Sequence, residues 1–244
     1  MKQTGTSRTS IGLGQILAVV FALVFPTFFT WLYFVRTDGH PAVQQVVFFV
    51  GKTIQFGFPI AWLLLAERGR VRWKGPTRVG LAWGLASGLL IGGATLGLYF
   101  GWMRSSEQIL TVAAVVRAKV VGIGLTSPAA FIAMSLFYSL LHSLLEEYYW
   151  RWFVFGRLRR MMPLGGAIVI SSLGFMAHHV ILVFHYFSWP WAIVASAAVA
   201  IGGALWAWRY ERDSSLWGVW ISHLLVDAAI FTIGYQMAFA VSGH

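Results

Sequence analysis

The chain has 244 residues, of which 58% are apolar, 11% are charged and none is cysteine. Soluble domains carry about 25% charged residues, so this composition excludes both a soluble globular fold and a disordered chain. The lack of cysteine excludes disulfide bonds, thiolate nucleophiles and cysteine-bound zinc. A polytopic membrane protein is the class that remains.

Seven apolar stretches follow one another along the chain, and each has the ~20 residues needed to cross a bilayer as a helix. The predicted fold is therefore an all-α transmembrane bundle of about seven spans. Region 103–126 contains an apolar run too short to span, followed by Arg117 and Lys119. We predict that it forms a helix at the outer membrane interface. The predicted spans are residues 11–35, 43–66, 79–102, 127–156, 164–186, 190–208 and 216–239.

The net charge of +10 does not indicate nucleic-acid binding, because the basic residues are distributed as the predicted topology requires. With the N-terminus in the cytoplasm, 12 Lys and Arg residues fall on the cytoplasmic side and four on the outer side. This distribution obeys the positive-inside rule. It predicts an integral protein of a bacterial-type inner or plasma membrane, with the lipid bilayer as a partner. The cytoplasmic set is Lys2, Arg8, Arg68, Arg70, Arg72, Lys74, Arg78, Arg157, Arg159, Arg160, Arg209 and Arg212.

Ionisable side chains inside membrane spans are costly, so each of them suggests a function. Three carboxylates and four histidines lie inside the last four spans, whereas the N-terminal half contributes only Lys52. We expect Lys52 to snorkel or to pair with a carboxylate. We therefore divide the chain into N-terminal spans without a motif, residues 1–126, and a core that carries the chemistry, residues 127–240. The seven core residues are His142, Glu146, Glu147, His178, His179, His223 and Asp227.

The fourth span places two adjacent glutamates in different surroundings. Glu147 and Arg151 are four residues apart and can form an ion pair. Glu146 lies about 100° around the helix and has no basic partner at that spacing, which suits a general base or acid. His142 precedes Glu146 by four residues and could face it. The structural alternative is a salt-bridged helix with one neutral glutamate.

The fifth and seventh spans supply histidines. Phe175 and His179 share a helical face, so the Phe175 ring could pack against the imidazole of His179. His178 lies about 100° further around the helix. His223 and Asp227, at i and i+4, can bond to each other or face one cavity. A rise of 1.5 Å per residue places these groups and Glu146 in one slab, ~10–22 Å from the cytoplasmic ends of their spans. The structural alternative is packing by self-satisfied histidines.

Together, the motifs Glu146-Glu147-x-x-x-Arg151, Phe175-x-x-x-His179 and His223-x-x-x-Asp227 resemble EExxxR, FxxxH and HxxxN/D. These are motifs of the CPBP family, the CAAX-protease and bacteriocin-processing intramembrane proteases, also called the Abi family. The resemblance covers roughly residues 127–240. It implies an intramembrane endopeptidase that hydrolyses peptide bonds of a membrane-associated or lipidated protein or peptide substrate.

The resemblance also implies roles for the motif residues. Glu146 and His179 would activate the attacking water, and His223 and Asp227 would bind the oxyanion or complete the polar site. An ionised Asp227 cannot donate a hydrogen bond as an asparagine can, so it would be protonated, orient His223 or ligate a metal. A metal-dependent mechanism is the alternative, with zinc at Glu146, His179, His223 and Asp227. The supporting residues would be Glu147, Arg151, Phe175, His178 and His142.

Two other functions fit the buried polar residues. A non-catalytic immunity or scaffold protein of the same fold would tolerate replacement of Glu146 and His179. A proton-coupled transporter would show flux driven by a pH gradient, because buried acid and histidine chains also relay protons. The glycine-rich tracts at 80–98 and 202–203 match the interrupted helices of transporters only in part.

Overall fold

The computed structural model describes residues 12–71 and 73–240, and in this part of the chain the regular structure is entirely helical. Seven of the described helices are long and apolar enough to cross a membrane. The predicted all-α bundle of about seven spans is therefore confirmed. In chain order the helices are α1 (Leu13–Arg36), α2 (Pro41–Ala66), α3 (Arg78–Met103), α4 (Glu107–Gly122), α5 (Pro128–Met161), α6 (Leu164–Tyr186), α7 (Trp189–Asp213) and α8 (Leu216–Ala240).

Side-chain caps fix where three of these helices begin. The hydroxyl of Thr77 accepts from Gly80 N at 3.0 Å at the start of α3. Ser106 and Ser127 cap α4 and α5 in the same way. Such caps satisfy backbone N–H groups that have no partner within the helix. Pro128 occupies the first position of α5, where its missing N–H costs nothing.

The connections α2–α3, α5–α6 and α7–α8 lie at one end of the bundle, which we call the basic end because it carries most of the Lys and Arg residues. The positive-inside rule predicts that this end faces the cytoplasm. Three residues of the predicted cytoplasmic set, Lys2, Arg8 and Arg72, lie outside the described residues. The cytoplasmic position of the N-terminus therefore stays a prediction.

Helix α4 is the short helix expected in region 103–126, and it is not among the seven spans. Its face of Ile109, Val112 and Ala113 packs against Tyr99 of α3 and Met237 of α8. These partners lie at the end of the bundle opposite the basic end. The helix thus covers one end of two spans, and its placement at the outer membrane interface stays a prediction.

The main apolar core surrounds the part of α5 nearest the basic end and includes Trp150, Phe153 and Phe155. The Tyr149 hydroxyl donates to Ala22 O at 2.8 Å and joins α5 to α1. Helix α5 widens into π-helical turns at Tyr138–His142 and Tyr148–Phe155. These turns flank the segment Ser143–Glu147, and such widened turns occur frequently at functional sites.

Glycines allow α3 and α8 to pack with their backbones almost in contact. A Cβ atom on Gly84 would lie 2.2 Å from Gly218 O, and one on Gly88 would lie 3.0 Å from Ser222 Cα. Only a residue without a side chain fits there. The glycine-rich tract of α3 is therefore a packing surface for α8, the helix that carries His223 and Asp227.

We expect Gly84→Ala to lower the free energy of unfolding by about 2–3 kcal/mol, because the added methyl group forces two backbones apart. Gly93→Ala is the matched control, since a Cβ atom there has no neighbour within 4 Å. It should leave stability unchanged or raise it by about 0.5–1 kcal/mol. Equal melting temperatures for the two purified variants would contradict the close packing.

Candidate functional site

Helices α5, α6 and α8 bring their ionisable side chains together at one place in the bundle. Glu146 and Glu147 come from α5, the two adjacent histidines from α6, and His223 from α8. Both glutamates are buried, as is His223. The predicted convergence of the three helices is therefore present.

Glu147 and Arg151 form the predicted ion pair, with Arg151 Nη1 at 3.0 Å from Glu147 Oε1. Both side chains are almost completely buried. The guanidinium also lies over two aromatic rings, 4.6 Å from the centroid of Phe175 and 5.1 Å from that of Trp206. Arg151 thus links α5 to α6 and α7, and its cation–π contacts compensate part of its desolvation.

His223 lies beside Asp227, as the i, i+4 spacing predicted, and it also bonds to Glu147, a partner that the sequence did not indicate. Its Nδ1 lies 2.8 Å from Glu147 Oε1, whereas its Nε2 lies 3.6 Å from Asp227 Oδ1. A carboxylate oxygen accepts, so Nδ1 carries the proton in this bond. The i, i+4 spacing did place Asp227 beside the imidazole, but the strong partner comes from another helix.

Glu146 has histidine neighbours on both oxygens, and they come from α5, α6 and α8. His142 Nε2 lies 3.4 Å and His178 Nε2 3.5 Å from Oε1. On the other oxygen, Oε2, His223 Nε2 lies at 3.8 Å. The prediction that His142 faces Glu146 is confirmed by this geometry. The carboxylate therefore lies at the centre of an imidazole cluster.

His179 has one ring nitrogen fixed and the other free for chemistry. Its Nδ1 lies 2.9 Å from the backbone oxygen of Phe175, which can only accept, so Nδ1 carries the proton. In the neutral ring Nε2 therefore holds the lone pair, as a base or a metal ligand requires. The Phe175 ring lies 4.7 Å from the imidazole, packed against it as predicted.

His178 belongs to the cluster itself, whereas the helical spacing suggested that it points elsewhere. Its ring is parallel to that of Trp150 at 5.6 Å and lies 4.1 Å from that of His179. The residue is buried, and neither ring nitrogen has a hydrogen-bond partner among the described residues. His178 therefore combines packing with a position next to Glu146.

The residues best placed to hold a metal differ from the set suggested by the sequence. Ligand atoms of Glu146, His178 and His179 all lie within 4.8 Å of one another. A carboxylate and two imidazoles are a donor set that zinc accepts, and His178 has unpartnered nitrogens to offer. His223 and Asp227 are not in this group. A zinc ion held there would supply Lewis-acid activation of a bound water.

Lys52 of α2 lies at the edge of the cluster. No carboxylate of the described residues lies within 4.0 Å of its ammonium group. Its ammonium donates to Gln55 Oε1 at 3.2 Å. It lies 5.5 Å and 5.3 Å from the ring centroids of Phe29 and Phe56. The Phe56 ring in turn contacts His142 edge-on at 5.6 Å. The expected carboxylate pair is thus replaced by an amide and two rings, within electrostatic reach of Glu146.

Sequence reasoning missed Trp206 and the hydroxyls near it. The Trp206 ring stacks on the His223 ring at 4.3 Å, and its Nε1 donates to Ser222 Oγ at 3.0 Å. Ser87 of α3 donates to the same Ser222 oxygen at 3.0 Å. These contacts fix the plane of the His223 imidazole. No spacing in α7 could have indicated Trp206, because its partners lie on other helices.

Residues 128–229 match the family model of type II CAAX prenyl endopeptidase Rce1-like proteins. The match starts with α5, contains all three motifs and ends within α8. It leaves α1 to α4 outside. No curated protein and no solved structure matches the chain.

Proposed function

Residues 128–229 match the Rce1-like model of type II CAAX prenyl endopeptidases, and on this premise we propose that the chain is a CPBP-type intramembrane endopeptidase. The observation that carries the proposal is the buried meeting of Glu146 with His178 and His179, whose ligand atoms lie within 4.8 Å of one another. Peptide hydrolysis needs a positioned water and a base beside it. The Glu146 carboxylate and the Nε2 lone pair of His179 can provide both.

In the proposed reaction a water molecule lies between Glu146 and His179. Its oxygen attacks the carbonyl carbon of the scissile bond while its proton passes to the Glu146 carboxylate. The carbonyl oxygen becomes an oxyanion. When this intermediate collapses, the carbon–nitrogen bond breaks and Glu146 returns the proton to the leaving amine. Glu146 thus acts first as a base and then as an acid.

His223 is the proposed partner of the oxyanion. Its Nδ1 is occupied by Glu147, so the ring presents Nε2 to the side where Glu146 and Asp227 lie. When Nε2 is protonated, it donates to developing negative charge. Asp227 lies next to the same nitrogen and orients the ring, and a protonated Asp227 adds a second donor. The stacked Trp206 holds the imidazole in this plane.

We propose a membrane-associated or lipidated protein or peptide as substrate, reached from the basic end. The site lies among membrane spans, so a substrate has to enter from the bilayer or from the nearer surface. The basic end faces the cytoplasm under the positive-inside rule. The proposed location is the inner or plasma membrane of a bacterial-type cell.

Substrate trapping tests the proposed function. Glu146→Gln keeps the size of the side chain but replaces the basic carboxylate with a neutral amide, so it should retain an uncleaved peptide. We expect mass spectrometry to find this peptide on the variant and its two fragments in membranes that contain the unaltered chain. A non-catalytic scaffold would retain the same peptide on both proteins and produce no fragments.

Lys52→Met is expected to lower the cleavage rate constant about tenfold and to leave the KM within about threefold. The cluster holds three carboxylates and one arginine, so removing a nearby cation weakens the stabilisation of further negative charge in the transition state. Lys52→Arg should restore most of the rate.

Lys119→Met is the matched control for Lys52→Met. Lys119 also lies over two aromatic rings, those of Tyr33 and Phe34, at 5.6 Å and 5.8 Å. It lies on α4, away from the cluster. The prediction is contradicted if both methionine variants lose the same cleavage rate and their melting temperatures fall to the same extent. Lys52 would then act only through packing.

A further inference from the structure

The basic end carries cations that the chain does not neutralise. Its three carboxylates are already bonded to three other arginines: Glu67 to Arg157, Glu211 to Arg159 and Asp213 to Arg209. Six exposed cations at the same end have no carboxylate within 4.0 Å among the described residues. They are Arg68, Arg70, Lys74, Arg78, Arg160 and Arg212. The six surround the ends of α2, α3, α5 and α7.

The described residues of the α2–α3 connection, 67–71 and 73–77, are bonded to the helices of the candidate site. Arg157 forms a two-pronged bond to Glu67 at 3.1 Å and 3.0 Å. Ser215, which precedes α8, donates to Gly75 O at 3.0 Å. These bonds hold the connection at Glu67 and at Gly75, and most of the described side chains between them are exposed.

Trp73 connects these cations to the active-site helix. Its ring stacks on those of Tyr148 and Trp152 at 5.9 Å and 6.2 Å, yet the residue is 53% exposed. Tyr148 directly follows Glu147 in α5. A half-exposed tryptophan beside exposed cations is typical of a surface at the level of lipid headgroups.

We infer that the six cations of the basic end and Trp73 form a binding surface for anionic phospholipid headgroups. Charge complementarity supports this occupant, because a phosphate monoanion at the membrane surface meets several Arg and Lys donors that no internal acid competes for. The location supports it as well, because these residues immediately follow or precede membrane spans. An acidic segment of a protein partner would need to displace lipid from the same place.

Anionic lipid bound at this surface would also regulate the proposed protease, an inference that rests on the proposed function. Headgroups bound at Arg68, Arg70 and Lys74 hold Trp73 against Tyr148 and Trp152, next to the Glu147 that bonds to His223. We expect cleavage to be about three- to tenfold faster in membranes that contain anionic lipid than in membranes that do not.

Lipid binding is measured on the full chain in nanodiscs of phosphatidylcholine with a minor fraction of phosphatidylglycerol, using native mass spectrometry to count each retained lipid. The test variant is Arg70→Gln combined with Lys74→Gln. The matched control is Arg36→Gln combined with Arg104→Gln, which removes two exposed cations from the opposite end. The preference for phosphatidylglycerol should fall about fivefold per removed cation in the test variant and stay unchanged in the control.

Equal losses in the two double variants would overturn the inference, as would equal retention of both lipids by the unaltered chain. A preference that persists unchanged at high salt would also contradict it, because a headgroup interaction of this kind is screened. All binding measurements can be repeated on the Glu146→Gln chain. If the Glu146→Gln chain prefers phosphatidylglycerol but the unaltered chain cleaves nothing, the proposed function fails and the lipid inference stands. If the unaltered chain cleaves its substrate but neither chain prefers phosphatidylglycerol, the lipid inference fails alone.

Discussion

Glu146→Gln is expected to lower the rate of peptide-bond hydrolysis by about 10³-fold, within the range that general acid–base catalysis contributes. The amide cannot accept the proton of the attacking water, and no other described carboxylate is surrounded by imidazoles in this way. His179→Gln should cause a loss of about 10²-fold, because it removes the lone pair that positions the water. The measurement is single-turnover cleavage of the trapped peptide by purified protein in nanodiscs.

Glu107→Gln is the matched control for this prediction. Glu107 is an exposed carboxylate in the first turn of α4, far from the cluster. The Glu107→Gln variant should cleave the peptide at the rate of the unaltered protein. Glu146→Gln should also melt within a few degrees of the unaltered protein, so that the loss cannot arise from unfolding. A rate within tenfold of the unaltered rate would remove Glu146 from its proposed role.

Arg151→Met is expected to destabilise the protein by about 3–5 kcal/mol, because it leaves the buried Glu147 carboxylate without its partner. Arg159→Met is the control. Its partner Glu211 lies at 2.8 Å, but both side chains are partly exposed, and such pairs contribute about 0–1 kcal/mol. Unfolding in a denaturing detergent, followed by tryptophan fluorescence, measures both effects.

A double variant separates the structural and functional roles of this ion pair. Glu147→Leu combined with Arg151→Met removes both charges, so stability should recover to within about 2 kcal/mol of the unaltered protein. Activity should not recover, because His223 Nδ1 loses its acceptor and the ring loses its orientation. A double variant that is stable and fully active would show that Glu147 does not orient His223.

Features within one helix could be predicted from the sequence. The Glu147–Arg151 pair and the approach of His142 to Glu146 both follow from a spacing of four residues, which sets neighbours in any helix. The apolar stretches likewise predicted the seven spans to within a few residues. In each case the relevant partners are close along the chain, so their geometry is determined locally.

Contacts between helices could not be predicted in this way. The bond from His223 to Glu147 joins positions 76 residues apart and depends on how α8 packs against α5. That packing in turn depends on the contact of Gly84 with Gly218. In the sequence, the tract that contains Gly84 was weighed only as a possible transporter-type helix interruption. His178 was misplaced for a related reason. Two residues 100° apart can both lie within the buried sector of a helix, which is itself at least about 100° wide.

The most direct test of the account is an experimental map of the purified protein, at a resolution that shows ordered solvent. We predict one water molecule within hydrogen-bonding distance, about 2.6–3.2 Å, of both Glu146 and the Nε2 atom of His179. A map in which these two side chains point to separate parts of the bundle, with no solvent molecule in contact with both, would contradict it.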